Sequence, residues 1–224
     1  MYENSRKDIY REELDYIMLS LFSNKINVLI IGGGNAAFIK AKTFLSNGCN
    51  VEIVAKDIKK DIFDLKFSNL KLTKSEYNKS FLLKKHIIII AIDDNKIIED
   101  IICDCEALDK LYINCKTPKE GLCVIPMNMK SKETIIGINT LRGNPRALKM
   151  LGNNILNEAK VWDDFIKVTS IIRNNVKNIK DKKQEVLDFI INDDFKYFVS
   201  KGKEELILRL FYEKKLVNKL LSKD

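Results

Sequence analysis

Three glycines in the stretch NVLIIGGGNAAFIKAK, residues 27–42, follow an apolar run and precede an amphipathic one. Gly32, Gly34 and Ala37 fit the G-x-G-x-x-(G/A) spacing by which a strand-to-helix turn holds a pyrophosphate. The first glycine permits the tight turn, the second lets phosphates approach the main chain, and the small third residue lets helix and strand pack closely. Backbone amides around Gly33, Asn35 and Ala36 would then face phosphate charge at the positive end of a helix. The chemistry implied is the binding of a dinucleotide. An acid usually reads the adenosine ribose at the end of the second strand, but Ala55 and Lys56 stand there instead. Lys56 would tolerate a 2′-phosphate, so the choice between NAD and NADP stays open. The same residues also suit a doubly wound domain that has lost its nucleotide.

A second chemical pair is Asp93 and Asp94, which close the apolar run HIIIIAIDD. There they sit at the carboxyl edge of a strand, where open α/β sheets bind ligands, or else they cap the next helix. His86 opens that run and is the only histidine, which reads as structural rather than as a ligand or base. The five cysteines (Cys49, Cys103, Cys105, Cys115 and Cys123) are an odd number without a CxxC pair. Reduced thiols are expected, with no disulfide framework and no metal site.

The elements that must position these residues follow from periodicity. Residues 7–17 have helical spacing. Val28–Ile31 reads as a buried strand, AAFIKAKTFLSNG as a helix stopped by Gly48, and CNVEIVA as the next strand. Together they make a βαβ unit of roughly 30 residues. HIIIIAIDD is apolar on both faces, as a central parallel strand requires. KIIEDIICDCEAL reads as a helix and KLYINC as a strand. After Pro118 two short strand-like pieces suggest a small separate sheet. Asn144 and Pro145 then form an N-cap and first helical position. Only helical patterns follow, with Trp162 and Phe165 expected in a core and Asp181 and Gln184 spaced as a capping box. The expected fold is α/β: a Rossmann-like parallel sheet over 1–117, a small sheet over 118–145 and a helical domain over 146–224.

The net charge of +8 raises nucleic acid as a partner, but lysines interleave with acids along the chain, and no nucleic-acid partner is expected. A mildly basic protein with anionic small ligands fits as well. No apolar run reaches the roughly 18 residues of a membrane span, and the polar start does not suit a secretory signal, so a cytoplasmic protein without membrane attachment is expected.

Three blocks in order resemble the precorrin-2 dehydrogenase/sirohydrochlorin ferrochelatase family, the N-terminal module of siroheme synthase. The segment YIMLSLFSNKINVLIIGGGNAAFIKAKTFLSNGCNVEIVA is similar to the family's opening. IIIIAIDDNKIIEDI resembles its A-[AT]-T-D-D-xxxN strand and helix, and GLCVIPMNMKSKETIIGINTLRGNPRALKML resembles its F-x-x-P-A to I-S-T-G-G-x-S-P-x-L-A stretch. The resemblance implies a Rossmann domain, a small dimerisation sheet and a helical tail. It further implies a homodimer that takes a hydride from precorrin-2 to NAD, giving sirohydrochlorin, with iron insertion as a second activity of the family.

The chain departs from that pattern at telling places. Aligned on Pro118, Lys116 stands where the family's N-V-V-D-x-P carries its key aspartate. A lysine cannot stand in for a carboxylate that must accept a proton, unless burial strips its charge. Asp93, Asp94 and Glu120 are then the candidate acceptors. Ile39 replaces the arginine after the glycine turn, while Lys40 is kept. The S-x-G-G-x-S-P region becomes Asn139, Thr140, Leu141, Arg142, Gly143, Asn144 and Pro145. Precorrin-2 is an octacarboxylate, so Lys116, Arg142 and Arg146 would attract and orient it, beside Asn139, Thr140 and Asn144. Iron insertion needs a base or ligand for the pyrrole protons and metal, which a chain with one histidine supplies poorly. A non-catalytic relative that binds a tetrapyrrole or dinucleotide remains the alternative, because of Lys116.

Overall fold

The computed structural model describes residues 16–141, 143–177 and 179–222. Of the lead-in helix expected over 7–17, residues 7–15 lie outside the described residues, and Tyr16 and Ile17 carry no regular structure. The chain divides into two compact units, one spanning Ile17–Ile125 and the other containing Pro126–Asp224. The break falls after Ile125 rather than at Pro118, because Cys123 and Ile125 pack against the core of the first unit.

In the first unit the elements are β1 (Asn27–Ile31), α1 (Asn35–Ser46), β2 (Asn50–Ala55), α2 (Lys60–Phe63), β3 (Leu70–Lys74), β4 (Ile87–Ile90), α3 (Asn95–Glu106) and β5 (Leu111–Asn114). The strands form a parallel sheet in the order β3-β2-β1-β4-β5. Strand periodicity sends Val28, Ile30, Ile53 and Ile89 to one face, against Ala37, Ala41 and Leu45 of α1. Leu29, Ile31, Ile88 and Ile90 go to the other face, against Ile98, Ile101 and Cys105 of α3. Both faces are covered, which is why these strands read as continuous apolar runs. The chain reverses its winding between β1 and β4, and the Gly32–Gly34 turn and the Ala91–Asp94 turn leave the sheet together at that switch point.

Local chemistry sets the ends. Gly48 has a φ of 86°, and the amides of Gly48 and Cys49 donate to the carbonyls of Leu45 and Phe44, closing α1 as a Schellman motif. The run HIIIIAIDD is a strand only over Ile87–Ile90, since Ala91–Asp94 turns into α3. His86 is structural: its Nδ1 accepts the Asn27 amide at 2.9 Å, and its own amide donates to the Asn27 carbonyl. All five cysteines are unpaired thiols, and burial pushes the Cys105 thiol up to about 12. Strand β3 was not anticipated from the sequence. LKLTK is a lysine-bearing edge strand with only two large apolar residues, a composition that guards an edge and hides the strand signal.

The second unit begins with an antiparallel hairpin, β6 (Met127–Lys130) and β7 (Ile135–Ile138). It continues into α4 (Pro145–Val176), whose N-cap Asn144 accepts the Ala147 amide at 3.1 Å. Met127 and Met129 lie against Gly152, where a Cβ would meet the Met127 methyl at 2.1 Å. Asp163 accepts the Ser131 hydroxyl at 2.6 Å and the amides of Lys132 and Glu133, pinning the hairpin turn to α4. Four short helices then gather around the far half of α4: α5 (Lys183–Ile190), α6 (Asp193–Ser200), α7 (Glu204–Phe211) and α8 (Lys214–Leu220). Their core holds Ile172, Val176, Val186, Ile190, Phe195, Leu208, Val217 and Leu220, with Phe165 packed against it.

Two expectations fail here. Trp162 is not core: it is 36% exposed, with the Lys196 ammonium 3.2 Å from its ring centre. The capping box at Asp181 and Gln184 does not form either. The N-cap of α5 is Lys182, without a side-chain bond, and the Gln184 amide donates instead to Asp188.

Glu52 is the charged group buried in β2, at 7% exposure. Burial alone would push its carboxyl up, but hydrogen bonds from Lys71, Lys85 and Thr73 outweigh that and hold it at about 2. The stability it contributes is therefore complete above its unfolded value of about 4.3 and is lost as pH falls towards 2. Thermal melts between pH 5 and pH 2 should show a smaller acid-induced fall in Tm for Glu52→Gln than for the native chain, with the variant less stable at pH 7.

Candidate active site

The glycine turn is enclosed from two sides and open on a third. Gly32 has a φ of 120°, and a Cβ there would lie 2.1 Å from the Ala91 carbonyl oxygen. At Gly33 a Cβ would lie 2.0 Å from the Asp57 carbonyl oxygen, while the Lys59 amide donates to the Gly33 carbonyl at 2.9 Å. Around Gly34, by contrast, a Cβ would meet no atom within 4 Å. Gly34 is the N-cap of α1, where no side chain caps the helix and no acid sits in the first turn. The leading amides of a helix have no acceptor within it, so Asn35, Ala36 and Ala37 present their N–H groups beside this open space. Asn35 and Ala36 are exposed, whereas Ala37 is fully buried and seats α1 on the sheet. The arrangement suits a diphosphate: positive dipole end, bare backbone and no competing carboxylate. The role of Gly33, under the Asp57–Ile58 loop, was not foreseen from the spacing.

At the next strand end, Ala55 is half-buried and Lys56 points outward. The Lys56 ammonium lies 2.7 Å from the Glu76 carboxylate, and this hydrogen-bonded contact holds the Glu76 carboxyl below its usual range. Glu76 follows β3, the strand missed in the sequence, and was missed with it.

Farther along the edge, the acidic pair divides. Asp94 accepts the Ile97 amide at 3.1 Å as the N-cap of α3, while Asp93 is exposed in the preceding turn. Lys116 reaches across from the end of β5 and donates to the Asp93 carbonyl at 2.7 Å and to the Asn95 side chain at 2.5 Å. Its ammonium thus ties two neighbouring strand ends together. The organiser of this corner is Asn114, 1% exposed. Its side-chain oxygen accepts the amides of Lys116 and Thr117, and its side-chain nitrogen donates to Glu120 at 3.1 Å. The sequence signal was available, since a polar residue closing an apolar strand needs partners once buried.

In the second unit, the Thr140 hydroxyl accepts the Asn144 amide at 3.0 Å, and Asn144 caps α4, so both oxygens serve the helix start. Asn139 is half-buried beyond β7, and Arg146 is exposed in the first turn of α4. Arg142 lies outside the described residues.

Residues 19–127 match the family model described as "Putative NAD(P)-binding". Precorrin-2 dehydrogenase of Bacillus subtilis is 26% identical over 155 residues, which cover 66% of this chain and 90% of that protein. The Priestia megaterium precorrin-2 dehydrogenase is 23% identical over 188 residues, covering 80% of this chain and 91% of its own. Siroheme synthase of Saccharophagus degradans is 29% identical over 130 residues, which span 57% of this chain but 28% of that longer protein. A solved structure of SirC, a precorrin-2 dehydrogenase, matches the fold with a TM-score of 0.66 at 20% identity, covering 87% of this chain and 98% of the other. The chain is thus similar to precorrin-2 dehydrogenases over most of its length, with an NAD(P)-binding match over residues 19–127. Of the three glycines, Gly34 is the one beside which the turn is open.

The three glycines should separate by experiment. Gly34→Asp should fold with a Tm close to that of the native chain yet lose at least tenfold in dinucleotide affinity by calorimetry, through charge and bulk at the phosphate position. Gly33→Ala should instead lower Tm, because the Asp57–Ile58 loop must move to admit a methyl group.

Proposed function

We propose that the chain is a precorrin-2 dehydrogenase using NAD, converting precorrin-2 to sirohydrochlorin with release of NADH and a proton. The observation that carries this reading is the open, uncapped turn at Gly34 on the switch point of a family-typical sheet. A bound nicotinamide would supply the hydride acceptor. The protein's part is then to orient substrate and cofactor and to take up the proton.

Proton uptake falls to the loops at the carboxyl edge. Asp94 is engaged as a helix cap, and the Lys116 ammonium donates to two acceptors, so neither suits the task. Asp93 and Glu120 remain, and Glu120 is favoured because the buried Asn114 holds one of its oxygens in place. Lys116 and Arg146 contribute cations that attract the substrate's carboxylates. Asn139, Thr140, Arg142 and Asn144 are retained in the proposal as substrate-side residues, with Thr140 and Asn144 acting through the start of α4. Iron insertion is left out of the proposal, since His86 commits its Nδ1 to the Asn27 amide.

The protein is proposed to act as a homodimer in the cytoplasm. Apolar side chains exposed near the hairpin and the start of α4, including Ile135 at 72% and Met150 at 70%, support pairing. Among the described residues no helix is long and apolar enough to cross a membrane.

A second reading, a binding relative without chemistry, draws on Lys116 alone. Both are tested by supplying precorrin-2 with NAD or NADP and following reduced nucleotide by absorbance. Turnover by the native chain is expected, with kcat falling roughly 100-fold in Glu120→Gln, as loss of a general base does. Absence of turnover with either nucleotide, together with activity gained in Lys116→Asp, would establish the binding reading instead.

A further inference from the structure

The adenosine end of the dinucleotide site holds a pair of charges that the proposed reaction does not use. Strands β2 and β3 run parallel in register, Ala55 beside Lys74, and the Ser75 amide donates to the Ala55 carbonyl at 3.1 Å. This brings Glu76, two residues beyond β3, to Lys56, one residue beyond β2, at 2.7 Å. In a doubly wound fold the adenosine ribose is read at that strand end: an acid accepts from its hydroxyls, or a cation receives a 2′-phosphate. Lys56 by itself would favour the phosphate. Its ammonium is matched by Glu76, and Asp57 follows it directly with a second negative charge.

Resting on the dinucleotide reading above, we propose that Glu76 is the specificity-determining residue of this site, selecting NAD over NADP. It does so in two ways. Its carboxylate occupies the lysine that a 2′-phosphate would need, and like charge opposes any phosphate placed beside it. Its second oxygen is at hand to accept from a ribose hydroxyl. An acid missing from its usual strand is thus replaced by one from the neighbouring strand. The side chains of Lys56 and Glu76 are 68% and 75% exposed, so the pair contributes little to folding, and changing it should leave the chain intact.

The test is titration of the full chain with NAD and with NADP by calorimetry, in the native protein, Glu76→Gln, and Glu76→Gln combined with Lys56→Ala. The native chain should bind NAD at least tenfold tighter. Glu76→Gln should shrink that ratio about tenfold, mainly through tighter NADP binding, as expected for removing one charge beside a phosphate. The added Lys56→Ala should abolish the gain. Native preference for NADP, or a ratio unchanged in Glu76→Gln, would overturn the assignment of Glu76 while leaving the dehydrogenase reading intact. Failure of the native chain to bind either nucleotide would overturn both.

Discussion

Two carbonyl oxygens decide what the turn after β1 can be. Those of Ala91 and Asp57 sit so near the α-carbons of Gly32 and Gly33 that neither position has room for a side chain. The loops that follow β4 and β2 can therefore close on the loop that follows β1. Parallel pairing brings the strand ends to one edge, and this contact leaves Gly34 open at the head of α1.

The edge so formed is electrically uneven. Beyond β2 and β3, Lys56 is answered by Glu76. In the middle, the amides that open α1 stand without a compensating acid. Beyond β5, the charge of Lys116 is turned to the start of α3, where it holds the Asp93 carbonyl and the Asn95 side chain. A cation at the head of a helix opposes the helix dipole, so that placement stands on its two hydrogen bonds and on the N-cap carboxylate of Asp94 nearby. Glu120, the first acid after β5 in sequence, is held by the buried Asn114.

Much of this was legible from residue order. The buried runs of β1 and β2, the stop at Gly48 and the cap at Asn144 each rest on a local rule and appear where the rule put them, while β4 ends at Ile90, short of Asp94. Readings that needed a distant partner fared differently. Strand β3 has a pattern that makes sense only beside β2, and Glu76 only beside Lys56. Asn114 looked like the end of a strand until its three partners were in place. Trp162 and the Asp181–Gln184 pair carried plausible local signals that tertiary neighbours overrode: a lysine over the ring, and a helix beginning one residue late for the box. In each case the deciding atom belongs to a segment far along the chain or to a register that periodicity does not specify.

Helix α4 carries a further consequence. Its first half holds the hairpin through Gly152 and Asp163, while its second half forms the spine of the cluster built from α5 to α8. At about 1.5 Å per residue, 32 residues make a single strut of roughly 48 Å, with no proline after its first position to bend it. A strut clamped at both ends transmits torque, so a rotation imposed on the hairpin is felt by the terminal cluster without passing through any loop.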